Sequence, residues 1–155
     1  MQGSRFRSLL FHLASIYWKV FRPKTFGVKG IVPHQDDDRQ ILLIRNTYGN
    51  TMLWNLPGGG YQPKRESPKR AIEREIREEL SVTPCSTEQL GHYQTDAEGK
   101  RDTVTIFLCR IPSENVEGGA EIAEVKWVSV DKLHSLRNIS KVALHGIELY
   151  KQRPE

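Results

Sequence analysis

Short apolar runs separated by polar turns dominate the chain after residue 23, and this pattern predicts β-strands. Residues 25–32 are rich in β-branched and aromatic types, and residues 40–45 contain the run ILLI. Both runs have strand length and are bounded by turn residues, so two strands joined by a loop are expected. That loop carries three adjacent aspartates, residues 36–38, for which a solvated turn is the expected role.

Later apolar runs predict three further strands, over residues 90–95, 101–110 and 123–130. A short helix is expected at 131–136, and Ser140 is well placed to cap a final helix. The sequence has no internal repeat and no low-complexity segment, which favours one domain with a mixture of helices and strands.

One segment shows clear helical periodicity. Ile72, Ile76 and Leu80 recur four residues apart and would form one apolar stripe on a helix. Ser67 is a favourable N-cap and Pro68 suits the first helical position. These signals predict an amphipathic helix over residues 69–80 that packs on the core.

The N-terminal residues 1–23 show a different pattern, in which a narrow polar stripe interrupts an apolar run. The run is too short to span a bilayer, and no small-residue cleavage site follows it. We expect an amphipathic helical appendage that packs on its own domain or on a second copy. A helix lying on a membrane surface is the alternative, because basic and aromatic residues occur together. The polar stripe consists of Arg5, Ser8, His12, Ser15, Lys19 and Arg22.

Composition narrows the class of protein. The chain has 155 residues, 37% of them hydrophobic and 27% charged, as in an ordinary globular domain. Its net charge of +4 suits anionic ligands, whereas a nucleic-acid binder would show a basic stripe with exposed aromatics. Cys85 and Cys109 form no CxxC motif, so we expect buried structural thiols and a reducing, cytoplasmic location.

Three carboxylates on the predicted helix indicate where the chemistry lies. Glu75, Glu78 and Glu79 share one stripe of the helix, next to its apolar face. Carboxylates held together repel one another and their pKa values rise unless a cation relieves the charge. Hard divalent cations such as Mg²⁺ prefer oxygen ligands, so the stripe predicts a metal site.

A glycine turn, residues 58–60, stands between the strand that ends at Pro57 and this helix. Consecutive glycines at such a position allow positive φ and a close approach of a phosphate or a metal to the backbone. We therefore expect Gly58, Gly59 and Gly60 to contact the substrate. Arg45, at the end of the second predicted strand, is a further candidate for that role.

The spacing of these residues resembles a known motif. Gly60 is followed after five residues by Glu66, and after seven more by the run REIREELSV at 74–82. This is similar to the Nudix box, G-x5-E-x7-R-E-U-x-E-E-x-G-U, in which U is a bulky aliphatic residue. Every position matches except the last glycine, which is Ser81 here. The departure falls at the end of the helix and removes no carboxylate.

The resemblance implies the fold of a Nudix hydrolase. That fold is an α/β (α+β) sandwich in which a mixed β-sheet lies between helices. It would occupy residues 24–155, with the N-terminal helix as an appendage outside it. A monomer or a homodimer would be compatible with the pattern.

The resemblance also implies roles for individual residues. Glu75, Glu78 and Glu79 would bind the metal, and the carbonyl of Gly59 would complete the metal shell. Glu66 would brace the helix from behind these ligands.

Arg74 would act with Glu66 as a brace and would orient one of the acids. The family often supplies one more glutamate from a loop before a late strand, and Glu121 is the candidate. Glu124 is the rival, although its place at the strand entrance suits an ion pair. Glu78 and Glu121 are both eligible as the general base.

The activity implied is Mg²⁺- or Mn²⁺-dependent cleavage of a pyrophosphate bond. The substrate would be a (d)NTP or a nucleoside diphosphate linked to a group X, and neither nucleic acid nor a membrane is expected as a partner. The alternative is a non-catalytic Nudix-like module that binds a nucleotide, although such a module would be expected to lose a ligand glutamate. The signatures of substrate subgroups are missing here, so the sequence leaves the identity of the nucleotide open.

Overall fold

The computed structural model describes residues 24–96 and 101–154, and the predicted N-terminal helix lies outside these ranges. Within them the chain forms strands and α-helices in an order close to the one predicted. A 3₁₀ turn, Leu133–Ser135, stands where a short helix is expected. The elements are β1 (Lys24–Ile31), β2 (Gln40–Asn46), β3 (Gly60–Tyr61), α1 (Pro68–Leu80), β4 (Ser86–Thr95), β5 (Arg101–Arg110), β6 (Ile122–Ser129) and α2 (Lys141–Gln152).

The strands form a mixed sheet and a smaller antiparallel pair. The larger sheet has the order β3-β1-β5-β4, in which β1 and β5 run parallel and the other neighbours are antiparallel. Strands β2 and β6 pair separately, and an isolated bridge from Pro33 to Ile41 connects the end of β1 to β2. The mixed sheet predicted from the resemblance is confirmed.

The strands contribute to two cores, because buried apolar residues follow one another along β2 and along most of β5. In β2, Ile41 and Leu43 face one core, whereas Leu42 and Ile44 face the other. Successive side chains of a strand point to opposite faces, so the run ILLI serves both cores. Helix α2 covers the first core and α1 covers the second.

Each helix begins at a serine cap, as expected. The Ser67 hydroxyl accepts the Arg70 amide at 3.3 Å, and Pro68 occupies the first position of α1. The Ser140 hydroxyl accepts the Ala143 amide at 3.0 Å at the start of α2. These caps satisfy amides that the first helical turn leaves without partners.

Two strands depart from the predicted pattern. Strand β4 begins at Ser86, four residues before the predicted start, because it continues to pair with β5 through polar residues. Strand β3 is only two residues long and pairs with Phe26 and Gly27 of β1. Its glycine carries no side-chain signal, so the sequence pattern gives no indication of it.

The expectation of two buried thiols is wrong for one cysteine. Cys109 is buried in the core under α1, but Cys85 is exposed. Cys85 lies in the turn between α1 and β4, where its Sγ is 3.2 Å from the Arg110 carbonyl oxygen. Over the described ranges, neither helix combines the length and the apolar character that crossing a membrane would require.

The aspartate turn before β2 makes more hydrogen bonds and ion pairs than expected for a solvated loop. The carboxylate of Asp38 accepts from the guanidinium groups of Arg110 and Arg153. Its carbonyl accepts the Tyr150 hydroxyl at 2.8 Å. The turn is therefore tied to the last residues of α2.

Candidate active site

The glycine turn lies flat against β1. The Val28 amide donates to the Gly59 carbonyl and the Gly30 amide to the Pro57 carbonyl, each at 2.9 Å. Gly58 has a φ of +129°, and a Cβ there would lie 2.2 Å from the Val28 carbonyl oxygen. Only glycine fits this position, as expected for a turn that packs directly on a strand.

The first helix places one of its glutamates directly against this turn. A Cβ on Gly59 would lie 2.8 Å from all three atoms of the Glu75 carboxyl group. The Glu75 side chain is only 12% exposed, and the Arg74 guanidinium donates to it at 2.7 Å. The missing side chain at Gly59 is what allows this carboxylate to reach the turn.

Glu79 lies on the same side of the turn. Its carboxylate accepts the Gly58 amide at 2.6 Å. Burial raises the pKa of Glu79 to about 7, although the Lys29 ammonium and the Gly58 amide act in the opposite direction. Burial also raises the pKa of Glu75, in spite of the hydrogen bond and charge of Arg74. Two poorly solvated carboxyl groups therefore stand beside the glycine turn.

A lysine on β1 completes the turn, and sequence reasoning missed it. The Lys29 ammonium donates to the Gly58 carbonyl at 2.6 Å and to the Leu56 carbonyl at 2.9 Å. The signal that could have revealed it is a charged residue between Val28 and Gly30, inside an otherwise apolar strand.

Arg74 connects the predicted bracing residue to the carboxylates. Its guanidinium contacts both carboxylate oxygens of Glu66, at 2.8 and 3.3 Å. It also donates to Glu75 and, at 3.2 Å, to Glu78, whose side chain is 59% exposed. The hydrogen bond between Arg74 and Glu66 raises the pKa of the arginine and lowers that of the glutamate. The structure thus brings these predicted residues together, and their roles stay predictions.

The loop before β6 brings Glu121 to the same side of α1. The Gly119 amide donates to the Glu79 carbonyl at 2.8 Å, and a Cβ on Gly119 would lie 2.2 Å from the Glu78 carbonyl oxygen. Two residues later, the Glu121 carboxylate hydrogen-bonds the Tyr48 hydroxyl. Burial, followed by the charge of Glu121, raises the pKa of Tyr48 to about 12. The charge of Glu121 also acts on Glu79, so the two carboxylates are neighbours.

Glu124 and Arg45 lie together and form an ion pair. This agrees with the ion-pair role considered for Glu124. Arg45 also stacks over Trp54, with its guanidinium carbon 5.0 Å from the ring centroid. It does not line the cleft beside the glycine turn, and its contact with a substrate stays a prediction.

An open cleft of about 830 Å³ runs from the glycine turn along the start of β1. Its walls are formed by residues 24–29 and 59–64, with Tyr48, Asp102 and Val104. Phe26 and Tyr61 meet edge to face there, with ring centroids 6.1 Å apart. The cleft meets the glutamates where Gly59, Lys29 and Tyr48 form its wall.

The donor set fits a hard divalent cation, because it offers carboxylate oxygens and a backbone carbonyl. Burial also disfavours the charged forms of Glu75 and Glu79 and raises the pKa of each. Over residues 24–96 and 101–154, however, no three acidic side chains of this site place ligand oxygens within 4.8 Å of one another. Among the described residues, one group of three places its ligand atoms within 4.8 Å of one another. It lies outside this site and consists of His34, Asp36 and Glu114. Binding one cation would therefore require the carboxylates of this site to come closer together than they lie here.

Comparisons with known proteins agree with this geometry. The family model described as the NUDIX domain matches residues 26–149. A Bacillus subtilis (strain 168) protein, provisionally named an 8-oxo-dGTP diphosphatase, is 33% identical over 99 residues. That alignment covers 63% of this chain and 63% of the relative, so the chain spans less than two thirds of the relative's length.

Solved structures share the fold. The MutT NUDIX hydrolase from Burkholderia pseudomallei superimposes with a TM-score of 0.71 at 22% identity, covering 81% of this chain and 97% of the other. The NUDIX domain of NrtR from Shewanella oneidensis, complexed with ADP ribose, gives 0.72 at 22% identity, covering 87% and 91%. At this level of identity, the two likenesses establish the architecture only.

Proposed function

The chain belongs to the Nudix family, and from that premise we propose that it hydrolyses a pyrophosphate bond in a nucleotide. The substrate would be a (d)NTP or a nucleoside diphosphate linked to a group X. One observation carries the proposal: Glu75 and Glu79 stand half-buried against a glycine turn at the mouth of a cleft. A nucleotide in that cleft would place its phosphates beside the backbone of Gly59, next to the carboxylates.

We assign a divalent cation, Mg²⁺ or Mn²⁺, to Glu75, Glu78, Glu79, Glu121 and the Gly59 carbonyl. When bound, such a cation would neutralise phosphate charge and make an attacking water more acidic. The Gly59 carbonyl already accepts from Val28 and keeps its second lone pair for this contact.

The protein would contribute positioning and a proton acceptor. Arg74 holds Glu75 and Glu78 in a fixed order along α1, with Glu66 fixing the guanidinium in turn. Glu78 and Glu121 are the two candidates for the general base, because both are exposed at the site. The pH–rate profiles of Glu78→Gln and Glu121→Gln separate them, since only loss of the base removes the acidic limb of the profile.

The cleft supports a nucleoside as the part of the substrate that carries the phosphates. Phe26 is a large apolar side chain that is 36% exposed, and it stands beside Tyr61 on the cleft wall. Aromatic edges and faces of this kind bind nucleobases. The names of the relatives, which refer to 8-oxo-dGTP and ADP ribose, support nucleoside tri- or diphosphate derivatives as the first compounds to try.

The test is a screen for released monophosphate or pyrophosphate over nucleoside di- and triphosphates, nucleotide sugars and dinucleotides, with Mg²⁺ or Mn²⁺. On the best substrate, Glu79→Gln is expected to lower kcat by about 100-fold or more, because it removes a metal ligand. Glu78→Gln is expected to do the same. Both variants should keep the circular dichroism of the wild type.

The matched control is Glu148→Gln, an exposed glutamate on the opposite helix, which should keep full activity. Unchanged turnover in both Glu78→Gln and Glu79→Gln would disprove the assignment of the metal site. A wild-type protein that binds one of these nucleotides and cleaves none of the panel would instead be the non-catalytic module.

A further inference from the structure

We infer that Lys29 is a positioning residue for this hydrolysis, one that fixes the glycine turn and, through it, the carboxylate of Glu79. The inference rests on the proposed function for its kinetic consequence. Its geometric part stands on the contacts of the turn alone.

The contacts form a chain that crosses a single residue, Gly58. The Lys29 ammonium donates to the Gly58 carbonyl at 2.6 Å, and the Gly58 amide donates to the Glu79 carboxylate at 2.6 Å. The second ammonium contact, to the Leu56 carbonyl, holds the chain on the other side of Pro57. Lys29 therefore sets the orientation of the backbone that Glu79 contacts.

The turn needs such a support because its conformation is uncommon. Gly58 has a φ of +129° and lies so close to β1 that even a Cβ at this position would clash with the Val28 carbonyl. Backbone contacts at Val28 and Gly30 fix the carbonyls of Gly59 and Pro57. The carbonyls of Leu56 and Gly58 alternate with those two along the chain, and both accept hydrogen bonds from the Lys29 ammonium.

The ammonium also lies between two parts of the site. It lines the cleft, and its charge acts on both Glu75 and Glu79. A cation at this place partly offsets the repulsion between neighbouring carboxylates. A lysine buried only for packing would not be expected to use its charge in this way.

The experiment compares Lys29→Met with Lys29→Arg, Lys29→Gln and the wild type. Lys29→Met should lower kcat by about 10- to 100-fold, the range for groups that support metal ligands, with KM changed much less. Lys29→Arg keeps a charged donor and should recover part of kcat, whereas Lys29→Gln keeps one neutral donor and should recover less. Lys132→Met, an exposed lysine in the turn after β6, is the control and should behave as the wild type.

A second readout does not depend on turnover. In two-dimensional NMR spectra of the metal-free protein, the Gly58 amide should move on Lys29→Met and return toward its wild-type position on Lys29→Arg. Calorimetric titration with Mn²⁺ alone should show weaker binding in Lys29→Met. If no substrate is cleaved by the wild type, the proposed function fails while these two measurements still test the positioning role.

Three results would overturn the inference. One is an unchanged kcat in Lys29→Met, and another is a Gly58 amide that stays at its wild-type position. The third is tighter Mn²⁺ binding in Lys29→Met, which would make the ammonium a competing cation. Should Lys29→Met fail to fold, the comparison of Lys29→Gln with Lys29→Arg provides the same measurements.

Discussion

The two helices on opposite faces of the sheet are built alike but differ in what they hold. Each begins at a serine cap and buries four residues of one stripe in a core. At the edge of α2, the Tyr150 hydroxyl meets the core and has a hydrogen-bond partner, because it donates to the Asp38 carbonyl. At the edge of α1, the polar groups are Glu75 and Glu79, which burial shifts towards the neutral form.

The difference shows where the molecule accepts unfavourable local structure. Around α1 lie a glycine with φ of +129° and Ser81 with φ of 56°, whereas the positive-φ residue beside α2 is Asn138, which tolerates this region better than serine. Around α2, apolar packing and the ion pairs of Asp38 with Arg110 and Arg153 stabilise the fold. Strain and charge at a functional site persist when the rest of the structure over-determines them. We interpret the packing and ion pairs around α2 as the source of stability that offsets the unfavourable carboxylates around α1.

The largest expected effect concerns the pH dependence of stability in the metal-free protein. The pKa of Glu79 rises from 4.5 to about 7 on folding, so the folded state holds its proton more tightly. The contribution of Glu79 to the free energy of unfolding is fully present below about pH 4.5 and is lost as the pH rises through about 7. At about 1.4 kcal/mol per pKa unit, the loss is on the order of 3 kcal/mol. The raised pKa of Glu75 acts in the same direction.

Urea unfolding in EDTA between pH 5 and 8 measures this effect. Glu79→Gln should flatten most of the slope and be more stable than the wild type at pH 8. Glu148→Gln on α2 should keep the wild-type slope. A wild-type protein whose unfolding free energy is constant over this range would remove the electrostatic difference between the two helices.

The next effect compares two glycines that each face one helix. A Cβ on Gly119 would lie 2.2 Å from the Glu78 carbonyl oxygen on α1, and a Cβ on Gly91 would lie 2.9 Å from the Leu149 Cδ1 on α2. Overpacking of this kind costs about 1–3 kcal/mol. Gly119→Ala should also displace Glu121 and lower kcat/KM by about tenfold or more.

Gly91→Ala should leave kcat/KM within about twofold of the wild type, because Leu149 can move without disturbing the site. Thermal unfolding and steady-state kinetics of both variants, measured side by side, check this pair. Equal kinetic losses in the two variants would show that the loop before β6 has no special role.

The smallest effect concerns the two residues other than glycine that adopt positive φ in the described ranges. Ser81 ends α1, and Asn138 precedes the cap of α2 with φ of 62°. Ser81→Gly restores the residue that the motif has at this position and should stabilise the protein by about 0.5–1 kcal/mol. Asn138→Gly should gain less, because asparagine tolerates this region better than serine.

Denaturation midpoints of the two variants provide the measurement, with hydrolysis as a check. Activity should stay unchanged in Ser81→Gly, since no carboxylate moves. A loss of activity there would mean that Ser81 does more than end the helix.

Much of this architecture could be predicted because the signals are local. The four-residue recurrence of Ile72, Ile76 and Leu80 reports a helix face, and all three residues are buried. Ser67 and Ser140 act on amides three residues away, so their roles can be predicted from neighbouring positions. Helical spacing also predicts that Glu75, Glu78 and Glu79 share one side of α1, whereas the bracing role of Glu66 and Arg74 is implied by the resemblance.

What escaped prediction depends on contacts between distant segments. The chain from Lys29 through the glycine turn to Glu79 joins three elements, and no local pattern reports it. Gly119 packs closely against α1, and the sequence of its own loop gives no indication of this contact. The exposure of Cys85 likewise follows from where the turn after α1 meets the sheet.

The triple contact at Asp38 has a consequence for the order in which the chain is made. Its carbonyl bonds Tyr150 and its carboxylate bonds Arg153, partners 112 and 115 residues further along. During synthesis the N-terminal strands are available first, while this turn waits for the residues that close it. Contacts of such long separation form slowly. The α2 core can therefore reach its final packing only after residue 153 has left the ribosome, and until then one face of the sheet lacks the helix that covers it.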